Sequence, residues 1–287
     1  MRQNEKLGHL MAIVCVTIWG SSFVVSKGLM TFLNPVQLIL LRFGLAYGLL
    51  WILYPKWYFR WKEEWRFLAM AIFANTLYYW AENTALTLTQ TANVSILVST
   101  SPIITALILA VFRKEEHLTR KQTLGFAVAF GGVVLVVLNG AFMLRVNPAG
   151  DLLALVAAVS WALYGMLLRR WADTYDSLLL TRKLMFYGIL TVLPLVLLDN
   201  QLIDMEKLLT ISSMVKLSYL AFVCGAGCYL LWSGAVKRIG ILQSNLYIYM
   251  VPLVTLIVSA LVLSETVTPM GIAGILFVII GMIFGTI

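Results

Sequence analysis

The stretch Gly8-His-Leu-Met-Ala-Ile-Val-Cys-Val-Thr-Ile-Trp19 is matched later in the chain by Gly150-Asp-Leu-Leu-Ala-Leu-Val-Ala-Ala-Val-Ser-Trp161. Both stretches are mostly apolar, begin with glycine and end with tryptophan at the same spacing. Further matches follow in the same order: Arg42 with Arg182, Tyr47-Gly48 with Tyr187-Gly188, and Pro102 with Pro252. The sequence therefore indicates an internal duplication. We divide the chain into a first half at 1–140, a linker at 141–149 and a second half at 150–287.

The composition is that of a membrane protein. Of the 287 residues, 61% are hydrophobic and 12% are charged, and the mean hydropathy is +0.91. A soluble domain of this size cannot remove so much apolar surface from water. Apolar runs of about 20 residues, the length that crosses a bilayer, recur along the whole chain. We predict an all-α integral membrane protein with ten transmembrane helices. These spans 1 to 10 are expected at 8–30, 34–54, 65–86, 91–112, 121–140, 150–169, 177–198, 213–235, 241–263 and 267–287.

The distribution of lysine and arginine predicts the orientation. With the N-terminus placed in the cytoplasm, 14 of the 21 basic residues lie in cytoplasmic segments, 4 lie outside and 3 lie within spans. This bias predicts a multi-pass protein of the bacterial inner membrane with both termini cytoplasmic. The first apolar run lacks a signal-peptide cleavage site and is expected to remain as span 1.

The duplication has a consequence for topology. Each half holds five spans, and because five is odd, the second half enters the bilayer from the opposite side. Inverted repeats of this kind are a common architecture of secondary transporters, in which two halves rock around a central site. The alternative is an inherited duplication without a transport cycle.

Other classes of function are weakly supported. The net charge of +8 comes from short basic clusters between apolar runs, which favours lipid contact and not nucleic acid. The histidines, His9 and His117, have no obvious catalytic partner, so we expect no enzyme, and neither a metal nor another cofactor. The three cysteines lie in apolar runs and are interpreted as small core residues. A non-transporting membrane sensor or scaffold stays possible from sequence alone.

Several motifs resemble those of a known family. They are Trp19-Gly-Ser-Ser-Phe, Leu41-Arg42-Phe43, Ala81-Glu82-Asn83-Thr84-Ala85-Leu86, Ser101-Pro102, Tyr229-Leu-Leu-Trp232-Ser-Gly-Ala235 and Val251-Pro252-Leu-Val-Thr255. Together they resemble the ten-span branch of the EamA-type drug/metabolite transporter superfamily. The resemblance implies export or exchange of a small-molecule substrate such as an amino acid, a drug, a nucleotide sugar or a sugar phosphate. It also implies a central cavity lined by spans 1, 3, 4, 6, 8 and 9.

The charged residues within the spans are candidates for coupling or gating. Glu82 is the only acidic residue well inside a span, where an ionised group is costly. It is interpreted either as a partner for a substrate amine, as a protonatable coupling group, or as an anchor paired with Arg42. Arg182 occupies the position in the second half that matches Arg42. It is expected either to extend to the interface, as cationic side chains near span ends do, or to act as a gate.

Aromatic and polar side chains inside the spans are candidates for substrate binding. Trp19 and Trp161 occupy matching positions and are expected to frame a cavity, the alternative being helix packing. The full set of candidates is Trp19, Ser22, Tyr78, Tyr79, Glu82, Asn83, Asn93, Trp161, Tyr164, Tyr229, Asn245 and Tyr249. Such side chains favour an amino acid as substrate, with a nucleobase-like compound or a cationic drug next.

Proline and glycine suggest hinges and packing sites. Pro102 and Pro252 are expected to kink spans 4 and 9, as hinges or as static bends. Glycines at short spacing in spans 5 and 10 permit close packing or a dimer contact. We expect a monomer or a weak homodimer in the lipid bilayer.

The predicted topology can be tested by labelling. We expect Lys207→Cys to react with a membrane-impermeant maleimide in intact cells. Lys237→Cys should react only when the cytoplasmic face is exposed, because these positions are predicted on opposite sides of the bilayer. Labelling of both variants from the same side would contradict the predicted topology.

Overall fold

The computed structural model describes residues 3–89, 91–112, 119–138, 147–198, 201–263 and 267–286. Within these ranges the chain forms helices joined by short turns, and they contain no β-strand. The helices are α1 (Gln3–Leu29), α2 (Pro35–Leu53), α3 (Trp61–Ala71), α4 (Tyr78–Leu88), α5 (Thr91–Val98), α6 (Ser101–Phe112), α7 (Arg120–Leu138), α8 (Pro148–Trp171), α9 (Ser177–Leu197), α10 (Met205–Leu208), α11 (Ile211–Ser218), α12 (Cys228–Leu246), α13 (Met250–Leu263) and α14 (Pro269–Thr286). Most of the predicted linker lies outside the described residues, which resume at Asn147.

Six helical segments of the described chain are long and apolar enough to cross a membrane. They are Gln3–Ser26, Pro35–Leu53, Arg120–Leu138, Pro148–Trp171, Ser177–Leu197 and Ile211–Val258. The last has 48 residues, which at 1.5 Å per residue is about 70 Å and far exceeds the roughly 30 Å of a hydrocarbon core. Gly240 interrupts it with φ 76° and ψ 168°, a backbone conformation open essentially to glycine alone. The run therefore divides into two parts at this kink, in agreement with the predicted separation of spans 8 and 9.

Polar caps fix where several of these helices begin. Asn34 accepts a hydrogen bond from the backbone nitrogen of Gln37 at 2.8 Å, and the backbone nitrogen of Asn34 donates in turn to Gln37 Oε1 at 3.2 Å. Asn147 accepts from the nitrogen of Gly150 at 3.1 Å in the same manner. Proline follows each asparagine, where its missing N–H and fixed φ suit the first helical turn. Short Asn-Pro signals thus set the start of α2 and α8.

Two π-helical segments interrupt the predicted spans 3 and 8, at Ile72–Leu77 and Tyr219–Gly227. These spans correspond by the internal duplication. Asn75, in the first segment, is fully buried and donates to the carbonyl oxygen of Leu184 at 2.8 Å. Tyr229, just after the second, donates to Asn75 Oδ1 at 2.8 Å. Polar groups in or next to the π-helical segments thus bond between the two halves.

The prolines expected to kink mid-helix lie in a different place. Pro102 is in the first turn of α6, after the chain has left α5 at Val98. Pro252 is in the first turn of α13, after a 3₁₀ turn at Tyr247–Tyr249. Proline is accepted in a first turn because no helical N–H is lost there. The helical discontinuity of each span lies just before the proline and not at it, and a hinge role for the two prolines stays a prediction.

Helices of the first half pack mainly against helices of the second half. Helix α1 packs against α12 and α13, α2 against α9, and α4 against α8. The tightest contact joins α7 and α14. A Cβ atom on Gly132 would lie 2.7 Å from the carbonyl oxygen of Gly274, and one on Gly125 would lie 2.6 Å from that of Gly281. Glycines that we considered for a dimer contact therefore bring two helices of one chain together.

Substitution at these glycines should destabilise the protein. Gly132→Leu is expected to lower the thermal midpoint of the purified protein, because overpacking a close contact costs about 1–3 kcal/mol. Gly131→Leu is the matched control, since a Cβ there would meet nothing within 4 Å. Equal midpoints for the two variants would contradict the assigned α7–α14 contact.

Candidate functional site

A cavity of about 810 Å³ opens between the helices of the bundle. Its wall is formed by the second half of α1, the start of α2, most of α4, the α5–α6 junction, the end of α7, Trp161 of α8, and the start of α13. It extends from Trp19, midway along α1, to Thr31 after that helix ends. The cavity therefore occupies the half of the bundle that lies away from the N-terminal end of α1.

Aromatic rings close the deep end of the cavity. Trp19 and Trp161 meet edge to face with ring centroids 5.3 Å apart, and Trp232 lies 5.3 Å from Trp19. Tyr164 and Tyr229 pack against these rings and are almost fully buried. Trp19 Nε1 donates to the carbonyl oxygen of Cys224 at 3.2 Å, which satisfies its polar end. We call these five residues, Trp19, Trp161, Tyr164, Tyr229 and Trp232, the aromatic floor.

Two ionisable residues, Glu82 and Arg42, lie on the cavity wall. Tyr78 donates to Glu82 Oε1 at 2.9 Å, and both side chains line the cavity. Arg42 places its Cζ atom 4.8 Å from the ring centroid of Tyr79. No ion pair within 4.0 Å joins Glu82 to Arg42, both of which are described. The anchoring pair that the sequence offered as one alternative is not formed in this structure.

The structure brings together many of the sequence-predicted site residues. Those that line the cavity are Trp19, Ser22, Arg42, Tyr78, Tyr79, Glu82, Asn83, Trp161 and Pro252. Asn93 lies in α5, and its side chain is outside the described part of the chain. The substrate-binding roles of these residues stay predictions.

Other predicted residues lie elsewhere. Tyr164 and Tyr229 lie in the aromatic floor and do not line the cavity. Asn245 donates to Thr105 Oγ1 at 2.8 Å, and Tyr249 packs against Phe126 with ring centroids 6.0 Å apart. Asn245 and Tyr249 are fully buried between helices. Neither residue lines the cavity in this structure, and their role in substrate binding stays a prediction.

The cationic residues of span 7 are buried against other parts of the protein. Arg182 is 3% exposed and donates to the carbonyl oxygens of Tyr54 and Lys56 after α2. Its Cζ atom lies 4.3 Å from the ring centroid of Trp51. The segment that follows α2 supplies these backbone acceptors, which the spacing of residues in the sequence does not show. Arg182 also lies off the cavity, where it has no direct access to a bound molecule.

A buried ion pair lies at the other end of the bundle. Lys183 donates to both carboxylate oxygens of Glu64, at 2.9 and 2.8 Å, and Tyr187 donates to Oε2 at 2.6 Å. We call Glu64, Lys183 and Tyr187 the Glu64 cluster. Glu64 precedes Tyr78, the first cavity residue of its span, by about 20 Å of helix. The cluster therefore closes the end of the bundle that the cavity does not reach. Glu64 was not among the predicted site residues because it precedes the predicted start of span 3 at residue 65.

Tyr58 extends this closure outside the spans. It donates to Glu63, which also accepts from Tyr175 at 3.1 Å. Burial and the hydrogen bond to Glu63 raise the pKa of Tyr58 to about 12. The phenol therefore stays protonated and keeps donating throughout the physiological range of pH.

The wall differs from the one that the resemblance implied. Spans 2 and 5 contribute lining residues, while the described residues of span 8 contribute none. Span 8 instead supplies Tyr229 and Trp232 to the aromatic floor. Thr255, which the sequence did not single out for binding, lines the cavity and donates to the carbonyl oxygen of Gly20 at 2.8 Å. The signal that pointed to it was its position three residues after Pro252 in a polar-lined span.

The chain is similar to known membrane transporters. The profile of the EamA-like transporter family matches it twice, at residues 6–138 and 148–286. The chain belongs to the EamA-like transporter family. It is 31% identical to an uncharacterized transporter of Archaeoglobus fulgidus over 90% of this chain and 89% of that protein. EamA-like proteins are multi-pass membrane transporters, so the chain is a membrane transporter of a small molecule.

Further EamA-like relatives are named for export. The chain is 26% identical to a protein of Salmonella typhimurium named "Probable amino-acid metabolite efflux pump", covering 97% of this chain and 94% of that one. A solved crystal structure superposes with a TM-score of 0.80 over 97% of this chain and 96% of that one, at 16% identity. This likeness shows a shared fold. The names of the relatives are those of transporters and not of enzymes.

The Glu64 cluster predicts a stability effect. Glu64→Gln should lower stability by about 3–5 kcal/mol, since it leaves the Lys183 ammonium buried without its counter-charge. The double variant Glu64→Leu with Lys183→Met should be less destabilised than the sum of the single variants. Thermal unfolding in detergent provides the measurement.

The matched control is Asp173→Asn, which removes an exposed ion pair with Arg169 at 3.7 Å. An exposed pair contributes only about 0–1 kcal/mol. If Glu64→Gln changed stability as little as this control, the Glu64 cluster would not be a closure of the bundle.

Proposed function

We propose that this EamA-like protein is a secondary transporter that exports small organic metabolites such as amino acids. The observation that carries the proposal is a cavity with one acid, Glu82, and one base, Arg42, on its wall and aromatic rings at its deep end. The name of the Salmonella typhimurium relative, "Probable amino-acid metabolite efflux pump", supports the same substrate class.

The proposed mechanism is alternating access between two inverted five-helix repeats, residues 1–140 and 150–287, with ten spans in all. The two separate matches to the family profile support this division. So does the contact of Trp19 with Trp161 at the junction of the halves. With the N-terminus in the cytoplasm, as the basic residues favour, the cavity faces outward and the Glu64 cluster closes the cytoplasmic end.

Glu82 is the proposed coupling group. Its carboxylate lies on the cavity wall, where it can hold either a proton or the ammonium group of a substrate, but not both at once. Competition of this kind links export of substrate to entry of a proton. Tyr78 orients the carboxylate by its hydrogen bond. An acid buried at 5% exposure within a membrane helix is costly, which favours a functional reason for keeping it.

The substrate class is tested by a screen. Amino acids, nucleobases with their nucleosides, and organic cations are added to the purified protein, and the shift of its thermal midpoint is measured. We expect amino acids to give the largest shifts. Largest shifts with nucleobases or organic cations would replace the proposed substrate class. Failure of reconstituted vesicles to move any of them would favour a sensor or scaffold.

Neutralising Glu82 should uncouple transport. In vesicles that contain Glu82→Gln, we expect the ratio of flux with a pH gradient to flux without one to fall to one. The amide cannot take up or release a proton. This ratio does not depend on substrate affinity, so a change in binding alone leaves it unaltered.

Glu206→Gln removes an acid on an exposed segment and is the control, expected to keep the wild-type ratio. The thermal midpoint of each variant checks that folding is intact. A wild-type ratio in Glu82→Gln would remove Glu82 from the coupling role.

A further inference from the structure

Arg42 is a buried cation, and two of its nitrogen atoms donate no hydrogen bond. Its side chain lies on the cavity wall at 6% exposure, and its Nε and Nη2 atoms are buried without a hydrogen-bond partner. The nearby Tyr79 ring offers only its π face, with the centroid 4.8 Å from Cζ. A guanidinium has five N–H donors and remains charged at any physiological pH. In a membrane bundle, such a group calls for an anionic partner.

The matching arginine of the second half shows the contrast. Arg182 donates two hydrogen bonds to backbone carbonyl oxygens and stacks on Trp51. It therefore has its partners within the protein, and it does not line the cavity. Of these two equivalent residues, the one without partners is the one that lines the cavity.

The wall of the cavity does not itself satisfy Arg42. Glu82 is the one carboxylate among the described lining residues, and it is bonded to Tyr78 without forming an ion pair with Arg42. Both charges therefore remain available, at separate points of the same cavity. A ligand that carries an anionic and a cationic group close together would complement both.

We propose that Arg42 binds the carboxylate of a zwitterionic amino acid whose ammonium group is held by Glu82. The inference rests on the proposed function and deepens it by naming the recognition of the substrate. Arginine suits a carboxylate because its planar fork can donate two parallel hydrogen bonds. A doubly charged phosphate fits less well, since Arg42 is the only cationic side chain among the described lining residues and Glu82 would repel it. The aromatic floor offers Trp19 and Trp161 as apolar surfaces for the amino-acid side chain.

The test compares two probes that differ only at the carboxyl group, L-phenylalanine and L-phenylalanine amide. Affinities are measured by titration calorimetry on the purified full chain. We expect the wild-type protein to prefer L-phenylalanine by about tenfold or more, the factor that corresponds to ~1.4 kcal/mol. In Arg42→Gln the preference should vanish, because the amide side chain carries no charge. Arg42→Lys should retain part of it, since a point charge remains without the fork.

Arg182→Gln is the matched control from the equivalent position. It should lower the thermal midpoint, because it loses two hydrogen bonds to carbonyl oxygens, and should keep the preference between the probes. Arg42→Gln should not lower the midpoint of the ligand-free protein, because its Nε and Nη2 have no bond to lose. This opposite pattern separates recognition by Arg42 from a purely structural role.

The outcomes distinguish this inference from the function on which it rests. A wild-type preference that persists in Arg42→Gln overturns the inference, as does a wild-type protein that binds both probes equally. If L-phenylalanine does not bind, the inference fails as well. Flux of any small metabolite in vesicles would nevertheless leave the transport function standing, whereas absence of all flux would reject both.

Discussion

Hydrocarbon cannot hydrogen-bond, so each polar group within the bundle must find its partner in the protein or in a wet cavity. Several helix contacts of this protein follow from that constraint. Asn75 donates to the carbonyl oxygen of Leu184, Ser160 to that of Phe73, and Thr255 to that of Gly20. These bonds join helices distant in sequence, and all three link the two halves. The helices are thus held by small polar contacts as well as by close glycine packing, where apolar surface alone would not distinguish a neighbouring helix from lipid.

The halves carry similar sequence signals but place them in different surroundings. Trp19 lines the cavity from the first half, and Trp161 reaches the same cavity from the second. Two nitrogen atoms of Arg42, on the cavity wall, have no hydrogen-bond partner, whereas the equivalent Arg182 donates to carbonyl oxygens after α2. The two arginines therefore have different surroundings, because the cavity opens at one end of the bundle and the Glu64 cluster closes the other. A difference between matched positions is what one state of a two-state transporter requires.

The sequence was sufficient for those features that depend on periodicity and repetition. The long apolar runs predicted where helices lie, and the matched tryptophans Trp19 and Trp161 predicted a contact between the halves. Both the length of an apolar run and an internal duplication can be read directly from the sequence. Glu82 was visible because an acid in an apolar helix is costly wherever it points. The structure adds that it shares a wall with Arg42 without pairing to it.

The sequence did not decide the position of a polar side chain that had two favourable environments. A polar residue in a membrane helix can face a cavity or bond to a neighbouring helix, and composition does not decide between them. Asn245 bonds to Thr105, Tyr249 packs against Phe126, and neither lines the cavity. Arg182 is bonded to a carbonyl oxygen after α2, and Lys183 is bonded to Glu64. Their partners are more than a hundred residues away in sequence, which no local pattern reveals.

Under the proposed alternation of the two halves, the environments of the matched residues would be exchanged. Opening the closed end requires separating the Glu64 cluster and freeing Arg182 from its carbonyl acceptors, which costs free energy. Closing the open end would give Arg42 the kind of partners that Arg182 has now, which recovers part of that cost. A transporter needs two states that differ by only a few kcal/mol, so that ligands can shift the population. Equivalent arginines that trade their hydrogen bonds would supply such a balance, and a carboxylate bound to Arg42 would hold the protein in the state that this structure represents until the substrate leaves.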